Sequence, residues 1–244
     1  MDNFNVYKDI QARTKGEIYI GVVGPVRTGK STFIKRFMEL AVLPAMEDES
    51  LKAVSTDELP QSAGGKTVMT TEPKFIPKEA VQITLGDGIQ AKVRLIDCVG
   101  YMVDGAAGHV ENGEERMVKT PWSEKEIPFT QAAQIGTRKV IGDHSTIGIV
   151  VTTDGSVGEL KRSAYIDAEK QTVDELKKLG KPFILLLNST KPYSDETLKL
   201  AEQLAAGKRP GNGKKARTPE ADDTDPQKKL LRWEEDYRSR QKTG

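Results

Sequence analysis

The octet Gly24-Pro25-Val26-Arg27-Thr28-Gly29-Lys30-Ser31 constrains this chain more than any other feature. Its spacing is G-x-x-x-x-G-K-[ST], and its flanks supply what that spacing needs. Glu17 to Val23 is mainly apolar and β-branched, which predicts a strand, and Phe33, Ile34, Phe37 and Leu40 recur at helical spacing, which predicts a helix over Ser31 to Leu40. A glycine-rich turn between strand and helix converges backbone N–H groups on anionic oxygens. Gly24, Pro25, Val26, Arg27, Thr28, Gly29, Lys30 and Ser31 are therefore expected to hold a nucleoside triphosphate, with Lys30 as a point charge on the β and γ phosphates and the Ser31 hydroxyl as a magnesium ligand.

The rest of the chain predicts an α/β P-loop NTPase of the GTPase-like (TRAFAC) class, with a mostly parallel sheet, one antiparallel edge strand and helices on both faces. Val81 to Leu85 and Lys92 to Ile96 alternate as strands across Gly86-Asp87-Gly88, the signature of an antiparallel hairpin. Thr146 to Val151 and Phe183 to Leu187 are short apolar runs, read as central parallel strands covered on both faces. Helical patterns run over Ser163 to Leu179, which Gly180 and Pro182 stop, and over Ser194 to Ala206. Tyr101 to Phe129, rich in glycine and charge, reads as a long functional loop. Residues 1–206 are expected to form the P-loop domain, and residues 207–244, rich in Lys, Arg, Asp, Gly and Pro, a charged tail outside it without ordered structure.

Composition narrows the partners. A net charge of +1 provides no global field for nucleic acid, so no nucleic-acid partner is expected. The single cysteine, Cys98, suits a reducing compartment and packing as a small hydrophobe, and the cytoplasm is the simple expectation.

Further site residues follow from position. Asp97-Cys98-Val99-Gly100 forms D-x-x-G after a strand, so the Asp97 carboxylate is expected at the magnesium and the Gly100 N–H at the γ-phosphate. Thr70 and Thr71 lie between the two motifs, where a switch loop supplies hydroxyls to magnesium and the γ-phosphate. Asn188-Ser189-Thr190-Lys191 occupies the base-recognition position but lacks the aspartate a guanine site requires, which predicts ATP over GTP. Tyr101 stands where many GTPases orient water with glutamine. Arg27 could supply a catalytic cation in cis or simply face solvent, and both readings stay open. His109 and His144 lack partners at metal-ligand spacing, and Trp122 fits an interface anchor as well as local packing.

With these motifs stand longer strings: the octet continued by Thr32-Phe33-Ile34, Asp57-Glu58-Leu59-Pro60-Gln61-Ser62, Met69-Thr70-Thr71-Glu72-Pro73-Lys74-Phe75, Asp97-Cys98-Val99-Gly100-Tyr101 and Ile135-Gly136-Thr137-Arg138-Lys139-Val140-Ile141. Through about Leu204 the chain closely resembles the stage IV sporulation protein A family, the ATPases of the spore-coat basement layer. The resemblance implies ATP and Mg2+ as ligands, with Lys30 as the P-loop lysine, Asp97 as the magnesium-site acid and Thr70 and Thr71 as sensing threonines. Asn188 and Thr32 complete the implied nucleotide contacts. It also implies self-association into a polymer at the forespore surface of the mother cell, with other coat proteins and a membrane-anchor peptide as partners of full-length members. After Ala206 the resemblance stops, so those outer partners are expected to be lost here. A nucleotide-binding switch with negligible turnover is the alternative.

Overall fold

The computed structural model describes residues 16–60, 72–84, 90–111 and 113–207. Strand β1 (Glu17–Val23) runs into the octet and then helix α1 (Lys30–Phe37), which continues through a π-helical turn, Met38–Val42, and a 3-10 turn, Leu43–Ala45. Helix α2 (Glu49–Asp57) follows, its N-terminus capped by the Asp48 carboxylate, which accepts from Ser50 N at 2.8 Å and Leu51 N at 3.0 Å. Next come β2 (Lys74–Thr84) and β3 (Gln90–Asp97), then the short strands β4 (Val110–Glu111), β5 (Glu114–Glu115), β6 (Met117–Thr120) and β7 (Ser123–Pro128). Helix α3 (Phe129–Lys139), β8 (Ile147–Thr153), α4 (Arg162–Lys178), β9 (Phe183–Asn188) and α5 (Asp195–Gly207) complete the described chain. The described helices contain none long and apolar enough to cross a membrane.

Five strands form one sheet in the order β2-β3-β1-β8-β9. β1 pairs parallel with β3 and β8, β8 pairs parallel with β9, and β2 pairs antiparallel with β3 at the edge. The alternation of β1 explains two apolar layers. Ile18, Ile20 and Val22 pack on one face with Ile34 and Met38 from α1 and its extension, while Val23 on the other face joins Val140 after α3 and Tyr165 and Leu176 of α4. The predicted class therefore stands, helices on both faces included.

Three expectations change. Among the described residues β9 pairs only with β8, so Phe183 to Leu187 is an edge strand with Ile184 57% exposed, not a central one. Nor are its faces covered as expected, since no residue of β9 is fully buried among the described residues; an apolar run is silent on whether a neighbour lies beyond it. Tyr101 to Phe129 is not one loop but carries two small hairpins, β4 with β5 and β6 with β7. Their strands are short and polar, which hides their alternation. Helix α3 begins at Phe129, where the sequence predicted a loop to end, and buries Phe129 together with Ala132, Ala133 and Gly136, three residues too small to give a strong apolar period. By contrast α4 ends as predicted: Gly180 N donates to Lys177 O at 3.0 Å and Lys181 N to Leu176 O at 3.1 Å, the paired bonds of a Schellman stop. The turn between β2 and β3, the residues preceding Gly16 and those following Gly207 lie outside the described residues.

Candidate nucleotide site

Parallel strands carry β1, β3, β8 and β9 to the same edge of the sheet, the usual place for a ligand crevice in such folds. The octet leaves β1 there. Gly24 adopts φ 130° against the backbone of β8, where a Cβ would lie 2.3 Å from Val151 O. Arg27 takes φ 60°, a left-handed conformation that costs free energy in a residue with a Cβ and occurs most often in functional loops. The first helical bond of α1 runs from Phe33 N to Gly29 O at 2.8 Å, so the N–H groups of Lys30, Ser31 and Thr32 have no partner within the helix. They are available to an anion, and the positive end of the helix dipole favours one.

Three side chains converge at this end. Ser31 Oγ, in the first turn of α1, donates to Asp97 Oδ2 at the end of β3 at 2.6 Å, and Lys30 Nζ donates to Pro25 O at 2.6 Å. Asp97 Oδ1 is buried, and among the described residues no hydrogen bond reaches it. Burial drives both ionisable groups toward neutrality, raising the Asp97 carboxyl above its ordinary value and lowering the Lys30 ammonium below its own. For Asp97 the Ser31 hydrogen bond and the charge of Lys30 oppose that push. An unpartnered buried carboxylate oxygen beside a serine hydroxyl and a buried ammonium is costly unless a cation and anionic oxygens complete it. This donor set fits a hard divalent cation with a polyphosphate.

The second motif is joined to the first through its backbone. Tyr101 N donates to Gly24 O at 3.2 Å and Val26 N to Tyr101 O at 2.9 Å. Gly100 adopts φ 93° in the joint, where a Cβ would lie 2.1 Å from Gly24 O and 2.7 Å from Lys30 Nζ. Thr28 Oγ1 closes the octet on Pro25 O at 3.0 Å. Lys30, Ser31, Asp97 and Gly100 thus lie together at this end of the sheet, whereas Thr70 and Thr71 lie outside the described residues.

Other expected residues acquire particular partners. Arg27 does donate to protein, to Ala107 O at 3.2 Å in the segment that follows the second motif. Asn188 Nδ2 donates to Thr28 O at 3.0 Å, so it braces the octet from β9. The carboxylate of Asp154, at the end of β8, accepts from Ser189 Oγ at 2.5 Å and from Ser156 N at 2.8 Å. Burial pushes that carboxyl up, but the bonds from Ser156, Ser189 and Thr197 outweigh it and hold it below its usual range. Asp154 and the buried Glu169 are residues that sequence reasoning missed; position at the end of an apolar strand was the available signal for Asp154, and none pointed to Glu169. Trp122 lines a cavity of about 330 Å³ with Pro73, Phe75, Pro121 and His144, which includes no octet residue. His144 packs its ring on Phe75.

The family model described as Stage IV sporulation protein A, ATPase domain, matches residues 1–209. Stage IV sporulation protein A of Bacillus subtilis (strain 168) is 56% identical over 205 residues, 84% of this chain and 42% of that protein. Its counterpart in Clostridioides difficile (strain 630) is 55% identical over 202 residues, 83% of this chain and 41% of that one. The chain thus spans about two fifths of the length of these relatives. Among solved structures, a variant of SsGBP aligns over 80% of this chain and 46% of its own at 16% identity and TM-score 0.39. Toc33 from Arabidopsis thaliana aligns over 83% of this chain and 67% of its own at 15% identity and TM-score 0.39.

Proposed function

Because the chain belongs to the stage IV sporulation protein A ATPase-domain family, we propose that it binds ATP with magnesium and hydrolyses it to ADP and phosphate, as the nucleotide-driven part of a spore-coat scaffold. The observation that carries this reading is the cluster of Lys30, Ser31 and Asp97, with one buried carboxylate oxygen that has no partner among the described residues. Ser31 and Asp97 would hold a magnesium ion, which when bound would supply positive charge to the phosphates. Lys30 meets the β and γ phosphates, the N–H groups of Gly29, Lys30, Ser31 and Thr32 cradle them, and the Gly100 N–H serves the γ-phosphate. Thr70 and Thr71 are assigned to sensing that phosphate, as the family resemblance implies.

Adenine is the proposed base. The segment Asn188-Ser189-Thr190-Lys191 offers no carboxylate for guanine, and the nearby Asp154 is already engaged by Ser156, Ser189 and Thr197. The test is phosphate release from ATP and from GTP, for the native chain and Lys30→Ala. Turnover that prefers ATP and disappears in the variant is the expected result; GTP turnover exceeding that of ATP would overturn the base assignment.

A second reading has its own support. Tyr101 is 1% exposed and Arg27 is engaged at Ala107 O, so neither is free to act on water or on transferring phosphate in this arrangement. A switch that holds nucleotide without turnover would show tight ATP binding and no phosphate release in the same assay. We further propose self-association as the output, in the cytoplasm at the forespore surface of the mother cell, with other coat proteins and a membrane-anchor peptide as partners of the longer relatives. Sedimentation with ATP, with ADP and with Lys30→Ala tests it. Pelleting confined to the native chain with ATP supports assembly by these residues, and its absence in every state assigns the polymer contacts to the rest of the longer proteins.

A further inference from the structure

We propose that Tyr101 is a positioning residue for the nucleotide: the bond from its buried hydroxyl to Glu175 clamps the loop after Asp97 onto the octet and so sets how strongly the site distinguishes a triphosphate from a diphosphate. The inference rests on the nucleotide-site reading above. Its geometry begins in the main chain, where Tyr101 bridges Pro25 in parallel and exchanges bonds with Gly24 and Val26. The ring lies in the apolar layer with Val23, Val26 and Leu176. At the far end its hydroxyl donates to Glu175 Oε2 on α4, while Glu175 Oε1 accepts from Arg138 Nε on α3 at 2.9 Å. A carboxylate only accepts, so the phenol must donate, and burial together with Glu175 raises its pKa well above the ordinary value, keeping that proton in place.

This arrangement rivets two helices to one backbone joint. Gly100 and Asp97 lie one and four residues before Tyr101, and Lys30 Nζ rests on Pro25 O within the joint. Groups assigned to the γ-phosphate therefore stand on both sides of it: Lys30 from the octet and Gly100 from the second motif. The remaining octet N–H groups, which serve the inner phosphates, belong to one continuous loop and helix turn. A loosened joint costs the γ-phosphate contacts and spares the inner ones. Tyr101 thus has a function other than orienting water, and the residue type suits it: a rigid ring long enough to cross the layer, with a polar tip.

Titration with a fluorescent non-hydrolysable ATP analogue and with fluorescent ADP, both with magnesium, tests the proposal without requiring turnover. In Tyr101→Phe, which keeps the ring and removes the hydroxyl, affinity for the ATP analogue should fall about tenfold while that for ADP stays within about twofold, the size of one charge-assisted hydrogen bond. Glu175→Gln, which retains an acceptor, should keep most of the discrimination; Glu175→Ala should lose it like Tyr101→Phe. An unchanged ratio in Tyr101→Phe overturns the proposal. So does an equal loss for both nucleotides, which marks a purely structural role, or a native chain that binds the two alike. A native chain that binds neither nucleotide sinks the site reading itself and this inference with it. If Tyr101→Phe fails to fold by circular dichroism, the Glu175 pair gives the same ratio.

Discussion

Cys98 shows how a single residue can carry the state of its surroundings. It lies between the site acid Asp97 and the joint at Gly100, its thiol donating to Val22 O at 3.5 Å, and it is buried at 6% exposure. Burial pushes the thiol up from 9.0 to about 11, against the lowering charge of Lys30. Between those two values the folded chain retains a proton that the unfolded chain has released, so the unfolded state binds fewer protons and stability falls as pH rises from 9.0 toward about 11. Urea unfolding across that range should show the decline in the native chain and much less of it in Cys98→Ala. At pH 8 a thiol reagent should label Cys98 only as fast as the chain opens; rapid labelling of folded protein would show an accessible thiolate instead.

At the scale of elements, α4 is fastened to the end of β8 by a buried ionic cluster. Glu169, 3% exposed, accepts from Thr152 Oγ1 at 2.6 Å and pairs with Arg162 NH1 at 2.6 Å. The same guanidinium nitrogen reaches Thr152 Oγ1 at 3.1 Å and Thr153 O at 3.3 Å. Removing one partner of such a pair leaves an uncompensated charge inside the protein. Glu169→Ala should therefore destabilise by about 3–5 kcal/mol in urea unfolding. Glu169→Gln, which keeps an acceptor for Thr152, should cost less, and a loss below about 1 kcal/mol in the alanine variant would show that the pair is dispensable. The displacement would be felt at Thr153 and Asp154, whose carboxylate accepts from Ser189 beside β9.

For the whole molecule, the proposed nucleotide is a cross-link. Its octet is braced by Asn188 of β9 through Thr28, packed on Val151 of β8 at Gly24, and tied to the residues after β3 through Tyr101. Binding to the folded chain alone adds about 2.7 kcal/mol when nucleotide stands at a hundred times its Kd. For a protein of this size that corresponds to a rise in Tm of about 5–10 °C. Differential scanning fluorimetry should show that rise with Mg-ATP and little of it in Lys30→Ala. A rise of the same size in the variant would place the stabilising ligand elsewhere.

The octet, D-x-x-G and the altered base motif were legible in the sequence because each is a run of neighbouring residues whose spacing is itself the constraint. The helix over α4 was legible too, since its stop is encoded by Gly180 and Pro182. The meeting of Ser31 with Asp97 could be expected only through the motif each belongs to, since the two are 66 residues apart and only strand order brings them to 2.6 Å. The partners of Tyr101 and Glu169 were not legible at all. Tyr101 to Glu175 spans 74 residues and two helices, and nothing in the local pattern of either end names the other. β9 was misjudged for a related reason: its apolar run suggested a covered central strand, while its place in the sheet depends on backbone pairing that leaves no trace in side-chain type, and at that edge its residues are only partly buried or exposed. The sequence by itself thus determined which chemistry the chain carries and the class of sheet that carries it. Tertiary structure alone decided which groups bear on one another, because burial and distance, unlike spacing along the chain, exist only once the sheet is assembled.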